Sequence, residues 1–140
     1  MQFNPNDFSE IKAVGTDESM VKILSKMNVN AVYFYAMKYA DGLFYLIGSL
    51  FLLFTKYFVI AFDNQNLYAI LISAMGKVKN IECISFTEIS SFKRKKRFLG
   101  GFKIKIVMKN GKKMKLDANK KWPYINGQLN SIEKLTAKFN

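Results

Sequence analysis

The chain has 140 residues, half of them apolar, with 22 Lys and Arg against 10 Asp and Glu and a formal net charge of +12. That length and apolar content supply one domain with a real core and exclude a disordered chain. There is no histidine and one cysteine, Cys83, which excludes His-based triads, most zinc sites and any intrachain disulfide.

The charge surplus favours anionic partners such as membrane head groups, acidic proteins or nucleic acid. The first residues, MQFNPNDFSE, are polar and lack the charged-then-apolar pattern of a signal segment. With one cysteine, this makes the cytoplasm the expected location, with room for peripheral contact with a membrane.

Residues 6–27 read as helical. Phe8, Ile11 and Val14 have helical spacing until Gly15 interrupts. Thr16 or Asp17 can cap a second helix, and Asp17 and Glu18 suit the positive end of its dipole. Met20, Ile23, Leu24 and Met27 then fall at i, i+3, i+4 and i+7, a single apolar stripe. Residues 1–29 are therefore expected to form a helical extension on a β-rich unit spanning 30–140, within one domain.

From Ala31 the pattern changes to strands. Ala31–Ala40 is aromatic and ends at the turn pair Asp41-Gly42; Leu43–Ile47, Leu50–Thr55 and Tyr57–Phe62 are the next candidates. Leu43–Phe62 is long and apolar enough to raise a membrane helix. However, Gly48-Ser49 and Thr55-Lys56 divide it into pieces of strand length, rich in residues that favour strands. Asp63-Asn64-Gln65-Asn66 reads as a turn. Strands follow at Leu67–Ser73, Val78–Phe86 and Ser90–Phe98.

The next segment, FKIKIVMKNGKKMKLDA, is a hairpin around Asn110-Gly111. Phe102, Ile104, Ile106 and Met108 share one parity, Met114 and Leu116 extend their face, and Lys103, Lys105, Lys109, Lys113 and Lys115 fall outside it. Finally, Pro123 suits the first turn of a closing helix with Ile125, Leu129, Ile132, Leu135 and Phe139 as its stripe.

Certain segments carry a family likeness. Leu53-Phe54-Thr55-Lys56 leads into the apolar strand Tyr57–Phe62 and then Asp63. Later come Ser85-Phe86-Thr87-Glu88-Ile89-Ser90-Ser91-Phe92, the basic stretch Lys93–Arg97, Gly100-Gly101 and Asn110-Gly111-Lys112. In this order, the segments resemble the bacterial pleckstrin-homology domains over roughly Leu50 to Phe139. Tyr57 departs from the pattern, standing where a basic residue is usual, and the N-terminal helices are not part of the basic fold. The resemblance implies a mainly β fold, a partly open antiparallel barrel of about seven strands with a C-terminal amphipathic helix plugging one end. It also implies a non-catalytic module.

The strongest local feature is Lys93-Arg94-Lys95-Lys96-Arg97. Phe92 and Phe98 share parity with Arg94 and Lys96, so a regular half-buried strand cannot turn the whole run to solvent. A bulge, a strand end or a projecting tip must resolve the conflict. The functional reading is an anion- or membrane-binding site made of Lys93, Arg94, Lys95, Lys96, Arg97, Phe98, Leu99, Lys103 and Lys105. In it, the bases meet head groups, and Phe98 and Leu99 touch the acyl boundary. The plainer reading is a solvated charged edge that prevents strand-to-strand aggregation.

The strands before Asp63 add a second clue. Phe58, Ile60 and Phe62 lie on one face and Tyr57, Val59 and Ala61 on the other, so neither parity is polar. The N-terminal helices or another subunit must cover the second face. Enzyme readings find no support: the acids Asp41, Asp63, Glu82 and Glu88 are dispersed, Cys83 reads as a small buried hydrophobe, and no cofactor or metal is implied.

The expected function is thus a binding module for an anionic membrane surface or other polyanion. Protein interaction or self-assembly as a homo-oligomer is the alternative. Single-stranded nucleic acid is a weaker one, because the apolar partners of the lysines look inward.

Overall fold

The computed structural model describes residues 2–38, 56–98 and 100–139. Seven strands form one antiparallel sheet: β1 (Val32–Lys38), β2 (Lys56–Phe62), β3 (Asn66–Ile72), β4 (Val78–Ser85), β5 (Ile89–Lys96), β6 (Phe102–Met108) and β7 (Lys113–Ala118). Their order is β4-β3-β2-β1-β7-β6-β5, so the two edge strands are consecutive in sequence and the sheet is not closed. Among the described residues two α-helices accompany it, α1 (Asp17–Lys26) and α2 (Gln128–Ala137). The proposed strands Leu43–Ile47 and Leu50–Thr55, with the Asp41-Gly42 turn, lie outside the described residues.

The sheet has two apolar faces, as the absence of a polar parity in β2 and β3 requires. On one, Phe34, Ile60, Phe62 and Leu67 meet Phe102, Ile104, Ile106 and Leu116 from the other half of the curled sheet, with Ile132 and Leu135 of α2. On the other, Tyr35, Val59, Ala61, Tyr68 and Ile70 are covered by Phe8, by Met20, Ile23 and Leu24 of α1 and by its C-cap Met27. The N-terminal segment therefore covers the second face.

Two helical expectations need correction. Residues 6–27 are not helical throughout: a 3-10 turn at Pro5–Phe8 is separated from α1 by an irregular stretch. The Ala13 N–H donates to the Gly76 carbonyl at 2.6 Å, which draws the chain along the β3–β4 turn instead of into a helix. Thr16 then caps α1, its hydroxyl accepting the Ser19 N–H at 3.2 Å. Asp17 fastens this end, accepting from the Tyr33 hydroxyl and from the Asn126 N–H.

The closing helix does not begin at Pro123. Its N-cap is Gly127, held at φ 76° in the left-handed region that favours glycine. The preceding residues form a separate turn in which the Ile125 N–H donates to the Trp122 carbonyl. Ile125 consequently packs in the α1-side core, whereas Ile132 and Leu135 enter the other. Leu129 is 40% exposed, so it lies off the buried stripe.

Among the described residues, strands β1 and β7 share one register pair, Met37↔Asp117, and leave a gap toward Tyr35 and Asn119. Two residues away, the buried Gln128 side chain fills the gap. Its Oε1 accepts the Tyr35 N–H at 2.9 Å, and its Nε2 donates to the carbonyls of Tyr35 and Asn119 at 2.7 and 3.1 Å. One amide thus replaces the missing ladder bonds and pins the start of α2 to the sheet.

Candidate anion-binding surface

The β5–β6 hairpin is in register from Phe92↔Ile106 to Lys96↔Phe102. Its one irregularity lies between Ile89 and Ser91, ahead of the basic run. Lys93–Lys96 stay in the strand, Arg97 follows its end, and the parity conflict is resolved by chemistry. Arg94 is the inward residue. Its guanidinium lies 4.5 Å from the centre of the Phe102 ring and reaches Glu133 of α2 at 2.5 Å. A planar, weakly hydrated cation can cover an aromatic face and still pair at its rim.

Arg97 is also engaged. It donates from Nε to the Gly100 carbonyl at 2.9 Å and from Nη2 to Asn119 Oδ1 at 2.6 Å, and it pairs with Asp117 at 3.5 Å. These bonds brace the hairpin tip. Gly101, at φ 74°, belongs to the same brace, since a Cβ there would stand 2.6 Å from the Ala118 carbonyl oxygen.

The outward residues are lysines. Cross-strand register puts Lys93, Lys105 and Lys115 in one line across β5, β6 and β7, and Lys95, Lys103 and Asp117 in the next. Strands lie about 4.8 Å apart and alternate residues about 6.7 Å apart, so five ammonium groups share a small lattice. Like charges directly opposite one another disfavour the pairing by a few tenths of a kcal/mol each. Among the described residues none of these five lysines forms an ion pair, and Arg97 occupies the neighbouring Asp117.

The site expected from the sequence therefore divides. Lys93, Lys95, Lys103 and Lys105 share one outward face. Lys96 has inward parity but is exposed at the strand end. Arg94 and Arg97 serve the fold. Phe98 is 101% exposed beyond β5, and Leu99 lies outside the described residues. Lys115 joins the lattice, a position the alternation in KKMKLD makes readable once β7 is aligned with β6.

Elsewhere, Cys83 packs against the α1-side core and burial pushes its thiol up, away from the reactive thiolate. Burial, with Tyr57 nearby, pushes the Tyr35 hydroxyl up to about 12. The described residues contain no cluster of acids and cysteine suited to a metal ion. None of their helices is long and apolar enough to cross a membrane. Comparison with protein-family models, curated proteins and solved structures finds no match to this chain.

Proposed function

We propose that this protein is a non-catalytic binding module of bacterial pleckstrin-homology-like type that docks peripherally on an anionic membrane surface through the β5–β6 hairpin. One observation carries the reading: Phe98 is fully exposed beside a lattice of lysines that have no carboxylate partners among the described residues. A lone phenylalanine beside cations suits an interface that is charged outside and apolar a few ångströms in. Burying such a side chain contributes about 1.5–3 kcal/mol, and each lysine near an anionic leaflet about 1 kcal/mol. The open seven-strand sheet with a C-terminal helix supports the family likeness at the level of architecture.

The rival readings have less to stand on. Self-assembly was suggested by an uncovered apolar face, and that face is occupied by α1 and Phe8. A single-strand platform needs a row of exposed aromatics among the lysines; Phe98 is exposed, but Phe102, the aromatic on β6, is buried.

Flotation with phosphatidylserine-containing vesicles across a salt series tests the proposal. Binding at low salt that declines with added salt is expected, together with its loss in Lys93→Glu/Lys95→Glu/Lys103→Glu. Binding unchanged by that triple substitution, or absent at low salt, refutes the reading.

A further inference from the structure

Lys96, Phe102 and Ala118 form the last register row of β5, β6 and β7, and two segments leave the sheet beyond it. One is the β5–β6 tip with Phe98. The other is the connection from β7 to α2, residues 119–127, NKKWPYING. The two are joined at their bases: Arg97 Nη2 donates to Asn119 Oδ1 at 2.6 Å, and the Lys120 ammonium lies 6.0 Å from the centre of the Phe102 ring.

The connection is an anchored loop. Gln128 Nε2 donates to the Asn119 carbonyl at 3.1 Å and closes its base. Trp122 lies against Tyr35 with ring centres 4.4 Å apart, and Ile125 is buried. Asp17 of α1 grips the far side, its N–H donating to the Tyr124 carbonyl at 3.0 Å and its carboxylate accepting the Asn126 N–H at 2.9 Å. These contacts hold Tyr124 at φ 66°, in the left-handed region where a bulky residue is disfavoured and glycine or asparagine is at ease. Yet the Tyr124 side chain is 82% exposed, with no hydrogen bond and no ring contact among the described residues. The fold does not use it.

Register sets this loop beside the lysine lattice. Met37 pairs with Asp117 and Asp117 with Lys103, so Tyr35 and Met37 share the face that carries Lys103 and Lys95. Trp122, packed on Tyr35, therefore stands on the same face as the outward lysines. The loop adds Lys120 and Lys121, both exposed and neither in an ion pair among the described residues. From Ala118 to Ile132 the sequence contains no carboxylate. Five residues of chain span at most about 18 Å, so Tyr124 and Phe98 fall within one patch around the Arg97–Asn119 joint.

We infer that the 119–127 loop is a second membrane contact, with Lys120 and Lys121 on the head groups and Tyr124 seated at head-group depth while Phe98 reaches farther in. This contact rests on the membrane docking proposed above and extends it to new residues. Charge complementarity favours an anionic leaflet as the occupant, since cations lie on both sides of the two aromatics. A tyrosine, apolar in its ring and polar at its tip, belongs at the boundary between head groups and chains.

Three variants of the full chain test the contact on vesicles of phosphatidylcholine and phosphatidylserine. Tyr124→Gly relieves the backbone and should melt no lower than the unaltered protein, yet bind on the order of 10-fold more weakly. Tyr124→Asn, also tolerated in the left-handed region, should behave alike. Lys120→Gln/Lys121→Gln should lose about 30-fold. Lys77→Gln/Lys79→Gln removes equal charge at the opposite end of the strands and should lose less than about 3-fold, given a Debye length of about 8 Å. Trp122 is the chain's single tryptophan, and brominated phosphatidylcholine in the vesicles should quench it. Losses from the loop variants no larger than that of the Lys77/Lys79 pair, or an unquenched Trp122 in vesicle-bound protein, overturn the loop contact and leave docking through Phe98 standing. Absence of vesicle binding by the unaltered protein overturns both, as does binding only to a single-stranded oligonucleotide.

Discussion

Replacing Gln128 with leucine tests how the open sheet is held. The side chain is 3% exposed and its amide is the partner of the Tyr35 N–H, the Tyr35 carbonyl and the Asn119 carbonyl. Leucine keeps nearly the same volume, so the cavity contribution is small and the effect isolates the hydrogen bonds. The two Tyr35 groups face the gap beside β7, where Gln128 is their partner. Each buried backbone group left unpaired costs roughly 1–3 kcal/mol, so Gln128→Leu should lose about 2–4 kcal/mol. For a chain of this size that corresponds to a fall in Tm of roughly 6–12 °C. Urea titration followed by circular dichroism measures the first quantity and a thermal melt the second. A midpoint within error of the unaltered protein would falsify the idea that this amide substitutes for the β1–β7 ladder.

Three further outcomes follow from the same contacts. Ile132→Ala, at a fully buried position between α2 and the sheet, should cost about 2–5 kcal/mol in urea; a loss under 1 kcal/mol would mean that α2 does not plug the core. Arg94→Ala should destabilise by about 1 kcal/mol, through its Phe102 and Glu133 contacts, whereas Lys93→Ala should be neutral or slightly stabilising because Lys105 stands opposite; the reverse order would contradict the division of the basic run. For Asp63, burial opposes ionisation, but the N–H groups of Gln65 and Asn66, the Tyr68 hydroxyl and Lys138 outweigh it and hold the carboxyl below its ordinary range. A depressed folded-state value gives stability that is complete above the unfolded pKa of about 3.9 and is lost as pH falls through the folded one. Asp63→Asn should therefore flatten the acid limb of a stability–pH profile below about pH 4, and parallel profiles for the two proteins would count against the assignment.

Local signals made much of this fold readable. The hairpin of β6 and β7 is written in its alternation and in Asn110-Gly111, and the register pairs Ile104 with Leu116 and Ile106 with Met114 as that alternation demands. The turn at Asp63–Asn66 is fixed by a side chain that accepts from its own downstream backbone. Tyr57–Phe62 carried more than local information: with no polar parity it required a second cover, and α1 supplies one.

What was illegible depends on partners distant in sequence. Nothing near Ala13 foretells that its N–H is taken by Gly76, and helical spacing at Phe8, Ile11 and Val14 is overridden as a result. Gln128 reads as one more polar residue at a helix start. Its role exists because β1 and β7 part on the Tyr35 and Asn119 side of Met37↔Asp117, a property of sheet curvature and not of any segment.

The basic run shows how sequence and fold divide a single feature. Five consecutive cations in a half-buried strand look like a contradiction, because alternation sends some of them inward. The two arginines stand at the positions where a cation must also serve the structure. At 94 it must cross the edge of the core, which a flat guanidinium can do over Phe102 while pairing with Glu133. At 97 it must hold Gly100, Asn119 and Asp117 together, which takes several donors in a fixed fork. A lysine ammonium, compact and strongly hydrated, does neither well. The lysines hold the outward places and the strand end, where hydration and freedom of movement cost nothing and a nearby anionic surface can replace water. The choice of Arg or Lys along 93–97 is therefore set by which cations the fold consumes and which it leaves exposed.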